Sequence, residues 1–262
     1  MYNAEWRRNF TFAEEKLMSN TFSNKFVADE QNFKFLQDTM WGPNGIRQAE
    51  ELATQFTITK DMRILDLGCG MGLSSLYLAQ EYGAKVFATD LFADPTQNYK
   101  NFQSLGVEDK IVPMLLDATQ PLPFAKEYFD VIFSVGAYNM FGDNEEMLPK
   151  LIPYLKKGGY IAVAFPGLKY DFGDNVPKEM QPFWDEPEVA RCIRGIEWWK
   201  ELFGKAEGIE IVTISEQACH DIAWEEYLAS LDPSGEDKWD LDMMAAEGGK
   251  YYNTIQLIAK VI

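Results

Sequence analysis

The stretch ILDLGCGMGLSSLYLA, from Ile64 to Ala79, decides the fold class of this 262-residue chain. It begins as an apolar run, passes through glycines at positions 68, 70 and 72, and continues with the apolar spacing of a helix. That order predicts a β-strand, a tight turn and the start of an α-helix, an arrangement that presents backbone N–H groups to a ligand. The stretch therefore predicts a binding turn at the end of a buried strand.

Apolar strand segments alternate with helical segments on both sides of this turn. Because the strands are apolar almost throughout, they predict a doubly wound α/β fold, with a mostly parallel sheet covered by helices on both faces. The segment 144–158 is predicted as a helix that Gly158 and Gly159 end. The seven predicted strands are 63–68, 85–90, 110–117, 129–136, 158–166, 208–216 and 251–262.

The chain divides into a predicted N-terminal helical cap, residues 1–45, and a large α/β domain, residues 46–262. The cap carries aromatic residues at loose helical spacing and ends in the turn MWGPNG. Within the domain, residues 167–195 are rich in proline, glycine, aspartate and aromatic residues. We predict an inserted lid in that segment.

Composition and charge restrict the class of partner. The formal net charge is −17, whereas binding to nucleic acid requires clustered Lys and Arg, so no nucleic-acid partner is expected. Three scattered cysteines without C-x-x-C spacing predict a reducing compartment and no metal site. The chain has no apolar run of membrane-spanning length and no apolar signal region at its start, so we expect a cytoplasmic protein without a membrane partner.

The spacing of the glycines restricts the ligand. Gly68, Gly70 and Gly72 form G-x-G-x-G, whereas dinucleotide-binding turns carry G-x-G-x-x-G. The third glycine falls one place early, so phosphate binding is not the best explanation of this turn. A turn without side chains lets a ligand lie directly against the backbone.

The segment LDLGCGMG resembles the first motif of class I S-adenosylmethionine-dependent methyltransferases. The similarity continues in order through VFATDLF, LLDATQPLPFAKEYFDVIFSVGAYNMF and LKKGGYIAVAFP, and it covers residues from about 60 to 170. The resemblance implies a Rossmann-like sheet with an antiparallel last strand. It also implies S-adenosylmethionine as methyl donor, S-adenosylhomocysteine as product, and a small-molecule acceptor methylated by in-line displacement.

Positions that match the first two motifs carry expected roles at the methionine and ribose. Asp66 is expected to orient the glycine turn and to approach the methionine ammonium. The three glycines would let the backbone pass close to the cofactor, where a Cβ would collide. Asp90 would accept hydrogen bonds from both ribose hydroxyls. Cys69, inside the turn, is expected to be a small buried residue at the site rather than a nucleophile.

Later motif positions are expected to contact the rest of the cofactor. The resemblance implies that Leu91 packs on the adenine and that Asp117, with Ala118, lies at the adenine amino group. Ser134 and Val135 follow the fourth strand and are expected near the methionine and the transferred methyl group.

Each acid also has a structural explanation, because Asp is favoured at helix caps and in turns. Their joint position at the carboxyl ends of successive parallel strands, where open α/β sheets bind ligands, favours binding.

The acceptor side is less well defined by the sequence. The place after the fourth strand reads SVGAYN and lacks the Asp/Asn-Pro-Pro-aromatic motif of nucleic-acid amino methyltransferases, which favours a small-molecule acceptor. Tyr138 is the candidate to face the acceptor, with packing as its alternative. His220 is a candidate general base, with a structural role as its alternative. Trp41 is expected to contact the ligand, and the acceptor site is expected to form from the N-terminal segment and residues 167–195.

Other functions fit parts of the pattern. Aminopropyl transfer would use the same fold with a decarboxylated cofactor, and a nicotinamide oxidoreductase would use a similar glycine turn. A protein that binds S-adenosylmethionine without catalysis, as a sensor or a partner subunit, also fits. The sequence leaves open the acceptor, the methylated atom (N, O, S or C) and the oligomeric state.

Overall fold

A computed structural model of the chain describes residues 26, 29–184, 187–232 and 238–262. Most of the predicted N-terminal cap, including residues 1–25, lies outside the described residues. Within the rest of that segment, a helix runs from Glu30 to Thr39, with the Asp29 carboxylate accepting the backbone N–H groups of Gln31 and Asn32.

The strands form one seven-stranded sheet in the order β3-β2-β1-β4-β5-β7-β6. The first five strands pair in parallel, and β7 is antiparallel to both β5 and β6. The predicted doubly wound sheet with an antiparallel last strand is therefore confirmed. The strand order reverses between β1 and β4, which is where open α/β sheets bind ligands. The strands are β1 (Arg63–Leu67), β2 (Lys85–Asp90), β3 (Ile111–Leu115), β4 (Phe129–Val135), β5 (Leu155–Leu168), β6 (Ile209–Glu216) and β7 (Tyr252–Val261).

Helices cover both faces of the sheet. Two hydrophobic cores, one on each face, are built from the alternate residues of the strands: Ile64 and Val131 contribute to one core, and Leu65 and Ile132 to the other. The helices are α1 (Glu30–Thr39), α2 (Gly45–Ala53), α3 (Leu73–Tyr82), α4 (Pro95–Ser104), α5 (Met147–Leu151), α6 (Pro187–Cys192), α7 (Ile196–Gly204), α8 (His220–Ser230) and α9 (Lys238–Glu247).

The predicted helix that Gly158 and Gly159 end is wrong in its second half. Helix α5 ends at Leu151, a 3-10 turn containing Pro153 follows, and β5 already begins at Leu155. Both glycines lie inside the strand, where its pairing with β4 is irregular. The helix stops because proline has no N–H group to continue it, and the bulge uses the positive φ of Gly158, which is +78°.

A third hydrophobic cluster caps the carboxyl edge of the sheet, the edge at which the parallel strands end. It contains residues of the predicted lid, α8, α9 and the start of β7. These elements meet beyond the end of β4, where β5 and β7 continue as a pair. Helix α9 is an addition to the elements that the sequence predicts. The buried members of this cap cluster are Leu168, Phe172, Met180, Trp224, Tyr227, Met243, Tyr251 and Tyr252.

No helix among the described residues has the length and apolar character needed to cross a membrane.

Candidate active site

The glycine turn follows β1, and the conformation of its glycines is left-handed. Gly68, Gly70 and Gly72 have φ angles of +76°, +53° and +92°. A Cβ on Gly68 would lie 2.2 Å from Cβ of Ala137, and a Cβ on Gly72 would lie 2.5 Å from Cζ of Phe102. Backbone geometry and protein packing therefore already require glycine at positions 68 and 72, before any ligand is considered.

Asp90, at the end of β2, stabilises this turn by a hydrogen bond. Its Oδ2 accepts the N–H of Gly70 at 2.9 Å, and its Oδ1 accepts the N–H groups of Phe92 and Ala93 at 2.8 and 3.0 Å. The cap of α4 is Asp94, whose Oδ1 accepts the N–H of Thr96 at 2.8 Å, so Asp90 does not have the helix-capping role that was its alternative. The acid instead joins the glycine turn to the loop after β2.

Asn98 is the second residue that holds the turn, and it is not among the site residues predicted from the sequence. Its Nδ2 donates to the carbonyl of Gly70 at 2.8 Å, and its side chain is buried on α4. Asp90 and Asn98 together hold both backbone polar groups of Gly70. A signal for Asn98 was present, since it stands four residues before the buried Phe102 and so shares the inward face of the helix.

Asp66 is fully buried at the end of β1. Its Oδ2 accepts the hydroxyls of Ser74 and Ser75 at 2.6 and 2.5 Å. Its Oδ1 is buried without a partner among the described residues. Burial raises the pKa of this carboxyl to about 6, although the two serine hydrogen bonds act in the opposite direction.

The predicted adenine side carries one exposed acid. Oδ1 of Asp117 accepts the N–H and the hydroxyl of Thr119 at 2.9 and 2.7 Å, and these bonds lower the pKa of Asp117. Ala118 is buried, whereas Leu91 is 50% exposed after β2, as a residue available for ligand packing would be.

Ser134 and Cys69 do not present free reactive groups. The buried Ser134 donates its hydroxyl to the carbonyl of Leu67 at 2.7 Å, which joins β4 to β1 at their carboxyl ends. Cys69 is buried, and burial raises the pKa of its thiol well above the ordinary value. Val135 lies near the start of α2, where a Cβ on Gly45 would be 3.9 Å from Cγ1 of Val135.

Trp41 lies beside the glycine turn. A Cβ on Gly70 would be 3.4 Å from Cε3 of Trp41, whose side chain remains 64% exposed. Asn44 binds the loop that carries Trp41 to α8. Its backbone N–H donates to the carbonyl of Ala223 at 3.0 Å, and its Nδ2 donates to Oε2 of Glu226 at 2.7 Å. The structure thus brings the N-terminal segment to the glycine turn.

Arg47 strengthens this attachment between α2 and α8. Its Nε and Nη2 donate to the two carboxylate oxygens of Glu226 at 2.7 and 2.6 Å, a bidentate pair with a buried guanidinium. Glu51, one turn further along α2, accepts the N–H groups of Ala218 and Cys219 at the start of α8.

Tyr138 does not face the cleft, contrary to the expectation from the sequence. Its side chain is buried in an aromatic group with Phe141, Phe165, Trp199 and Phe203, at centroid distances of 5.4 to 6.5 Å. Burial raises the pKa of its hydroxyl far above the ordinary range. The 3-10 turn after β4 directs this ring into the core, which is the packing role that was its alternative.

His220 lies at the start of α8, close to the carboxyl edge. Its Nδ1 is 2.9 Å from the hydroxyl of Thr254, which pairs with Pro166 in the extension of β5. Burial is the largest influence on His220 and lowers its pKa, so the imidazole is neutral at pH 7.

These residues form a candidate ligand site at the carboxyl edge of the sheet. The glycine turn has three residues without a side chain, Asp90 presents carboxylate oxygens at the end of β2, and Asp66 holds an unpartnered buried oxygen. Asp66, Asp90 and Asp117 share the carboxyl edge, and three carboxylates favour a cation over a pyrophosphate. Among the described residues, no group of His, Cys, Asp and Glu could hold a metal ion.

Comparison with known proteins finds methyltransferases among the similar chains. The methyltransferase domain family matches residues 64–159. Methyltransferase GfsG of Streptomyces halstedii is 26% identical over 176 residues, which are 66% of this chain and 63% of the relative. The 2-methyl-6-phytyl-1,4-hydroquinone methyltransferase of Synechocystis is 30% identical over 152 residues, 58% of this chain and 45% of the relative. The chain thus covers less than two thirds of the length of these relatives.

Solved structures share the fold at low identity. Geranyl diphosphate C-methyltransferase of Streptomyces coelicolor, crystallised with S-adenosyl-L-homocysteine, has a TM-score of 0.65 at 16% identity and aligns over 82% of this chain and 78% of that one. The [4+2]-cyclase SpnF has a TM-score of 0.66 at 18% identity, over 83% and 81% of the two chains.

Residues 64–159 thus match the methyltransferase domain family, and the sheet order is the one that the motifs predicted.

Proposed function

We propose that this protein transfers the methyl group of S-adenosylmethionine to a small-molecule acceptor. The observation that carries the proposal is the glycine turn, held by Asp90, together with the unpartnered buried oxygen of Asp66. When bound, S-adenosylmethionine supplies a methyl group activated by a sulfonium, so alignment and exclusion of water are the main tasks of the protein.

The residues of the turn account for cofactor binding. Asp90 keeps about one acceptor site for a ribose hydroxyl, since two carboxylate oxygens offer about four sites and three backbone N–H groups occupy the others. Oδ1 of Asp66 accepts from the ammonium of the amino-acid end. Leu91 packs on the adenine, and Asp117 and Ala118 lie at its amino group.

The acceptor site lies between the loop of Trp41 and the cap cluster. Both elements stand at the carboxyl edge, and the attachment of Asn44 and Arg47 to α8 joins them into one wall. That wall excludes water from the site of methyl transfer. For an acceptor that must lose a proton, the neutral imidazole of His220 serves as the base.

Charge supports a small molecule rather than nucleic acid as the acceptor. The net charge of −17 and the three carboxylates at the carboxyl edge oppose a polyphosphate chain. We also propose that the protein acts in the cytoplasm.

Calorimetry with S-adenosylmethionine and S-adenosylhomocysteine tests the first step. Micromolar binding by the wild type and its loss in Asp90→Ala are expected. Tight NADH binding without binding of either sulfur compound would instead indicate an oxidoreductase.

Transfer of a labelled methyl group to a metabolite extract tests the reaction itself and identifies the acceptor. Cofactor binding without any labelled product would overturn the proposed methyl transfer. Two alternatives would then be left, a sensor without catalysis or a reaction other than methyl transfer, such as the one named for the similarly folded cyclase.

A further inference from the structure

We infer that Ser74 and Ser75 are positioning residues, whose hydroxyls hold Oδ2 of Asp66 so that Oδ1 is left for the ammonium group of the cofactor's amino-acid end. The inference rests on the proposed function. It assigns a role in ligand recognition to two side chains outside the glycine motif.

The geometry uses the two carboxylate oxygens unequally. Both hydroxyls, at 2.6 and 2.5 Å, donate to Oδ2, and Oδ1 receives nothing from the described residues. Asp66 and Ser75 are fully buried and Ser74 is 5% exposed, so bulk water does not compete for these bonds. A buried acceptor oxygen without a partner is costly, and a ligand donor would satisfy it.

The start of α3 creates this arrangement. Gly72 is the N-cap and offers no side-chain cap, and Ser74 and Ser75 are the second and third residues of the helix. The side chains of adjacent helical residues point about 100° apart. Oδ2 of Asp66, which both hydroxyls reach, therefore lies close to the helix axis at the N-terminal end of α3. The helix dipole favours a negative charge at that position.

No cation of the described chain neutralises Asp66. The ion pairs among the described residues do not include it. Asp90 is the titratable group that acts on it, and Cys69 is a neighbour on which Asp66 itself acts. Asp90 is a like charge, and the Cys69 thiol stays protonated because burial raises its pKa. The site therefore holds a carboxylate whose complement is a cationic ligand group.

The test compares two ligands by calorimetry. S-adenosylhomocysteine carries the amino-acid end, whereas 5′-methylthioadenosine keeps the nucleoside and thioether but lacks the ammonium. For Ser74→Ala and Ser75→Ala we expect the Kd of S-adenosylhomocysteine at pH 7.5 to rise about tenfold for each hydroxyl lost, since one hydrogen bond to a charged group has about that value. The Kd of 5′-methylthioadenosine should change less than twofold.

The pH dependence of S-adenosylhomocysteine affinity distinguishes positioning from packing, because a serine that only packs would leave this dependence unchanged. Serine hydroxyls favour the ionised carboxylate, so each alanine variant should lose S-adenosylhomocysteine affinity at a higher pH than the wild type does. Ser74→Thr, which keeps the hydroxyl, should retain the wild-type profile. Ser104→Ala, at the exposed end of α4, is the control for serine removal.

Two outcomes would overturn the inference alone. Equal losses for both ligands would assign the serines a structural role. Unchanged affinity and pH profile in Ser74→Ala/Ser75→Ala would exclude positioning while leaving the proposed function standing. Absence of S-adenosylhomocysteine binding by the wild type would instead overturn the proposed function, and the inference with it.

Discussion

Oδ2 of Asp90 accepts the backbone N–H of Gly70 at 2.9 Å, so the acid at the end of β2 closes the turn that follows β1. The two strands are neighbours in the parallel sheet, with Asp66 opposite Ala88 and Leu67 opposite Thr89. One side chain thus joins two elements that a ligand at the carboxyl edge must contact.

We expect Asp90→Ala to raise the Kd for S-adenosylmethionine about 100-fold, because charge-assisted bonds to the ribose and to the turn are lost together. Calorimetry measures this loss, and circular dichroism confirms folding. Asp94→Ala is the matched control, since it removes the cap of α4, lowers stability by about 1 kcal/mol and should leave the Kd within twofold. Equal effects of the two substitutions would contradict a binding role for Asp90.

Gly72→Ala should lower the free energy of unfolding by about 2 to 4 kcal/mol, from a positive φ together with overpacking against Phe102. Gly106→Ala separates the cost of the positive φ from the cost of overpacking. Gly106 has a φ of +67° but no atom within 4 Å of a new Cβ, so this variant should lose about 1 kcal/mol. Urea unfolding measures both variants, and similar losses would show that the Phe102 contact is unimportant.

Asp66 should make the ligand-free protein less stable as pH rises from about 4 to 6. Folding raises the pKa of Asp66 from 3.8 to about 6, so the folded state binds the proton more tightly than the unfolded state does. The stability that this proton contributes is present below pH 3.8 and is lost as pH rises through about 6. The difference corresponds to about 3 kcal/mol. Asp66→Asn cannot titrate, and its unfolding free energy relative to wild type should therefore increase between pH 4.5 and pH 7.5. A constant difference in urea unfolding at the two pH values would refute this.

Tyr138→Phe should leave the rate of labelled-methyl transfer within twofold of wild type, because the Tyr138 ring is buried in the aromatic core. Thermal unfolding should change by no more than about 1 kcal/mol. A 100-fold loss of kcat at unchanged stability would restore the catalytic role expected from the sequence.

His220→Gln should reduce kcat about 100-fold for an acceptor that loses a proton, with the Kd of S-adenosylhomocysteine unchanged. In the wild type, kcat should fall as pH drops through the lowered pKa of His220, because only the neutral ring accepts a proton. Persistence of that acidic limb in His220→Gln would exclude His220 as the base.

The strand pattern and the glycine spacing were sufficient to predict the sheet and the cofactor edge. Apolar runs separated by helices allow few topologies, and the carboxyl ends of parallel strands must meet at one edge. Asp66, Asp90 and Asp117 could therefore be placed together without coordinates. The start of β5 was predicted wrongly from the local sequence. Its glycines lie in a bulge, and that bulge depends on the pairing of β5 with β4.

Only the tertiary structure decided what the individual side chains do at that edge. The direction of Tyr138 depends on Phe165 and Trp199, which are distant in sequence, and the role of Asn98 depends on the carbonyl of Gly70. The sequence by itself determined the fold, because the fold follows from periodicity and from the order of the strands, and its motifs in order favour S-adenosylmethionine as the cofactor. Packing determined which oxygen of Asp66 stays unpartnered, because that depends on two hydroxyls meeting one atom in three dimensions.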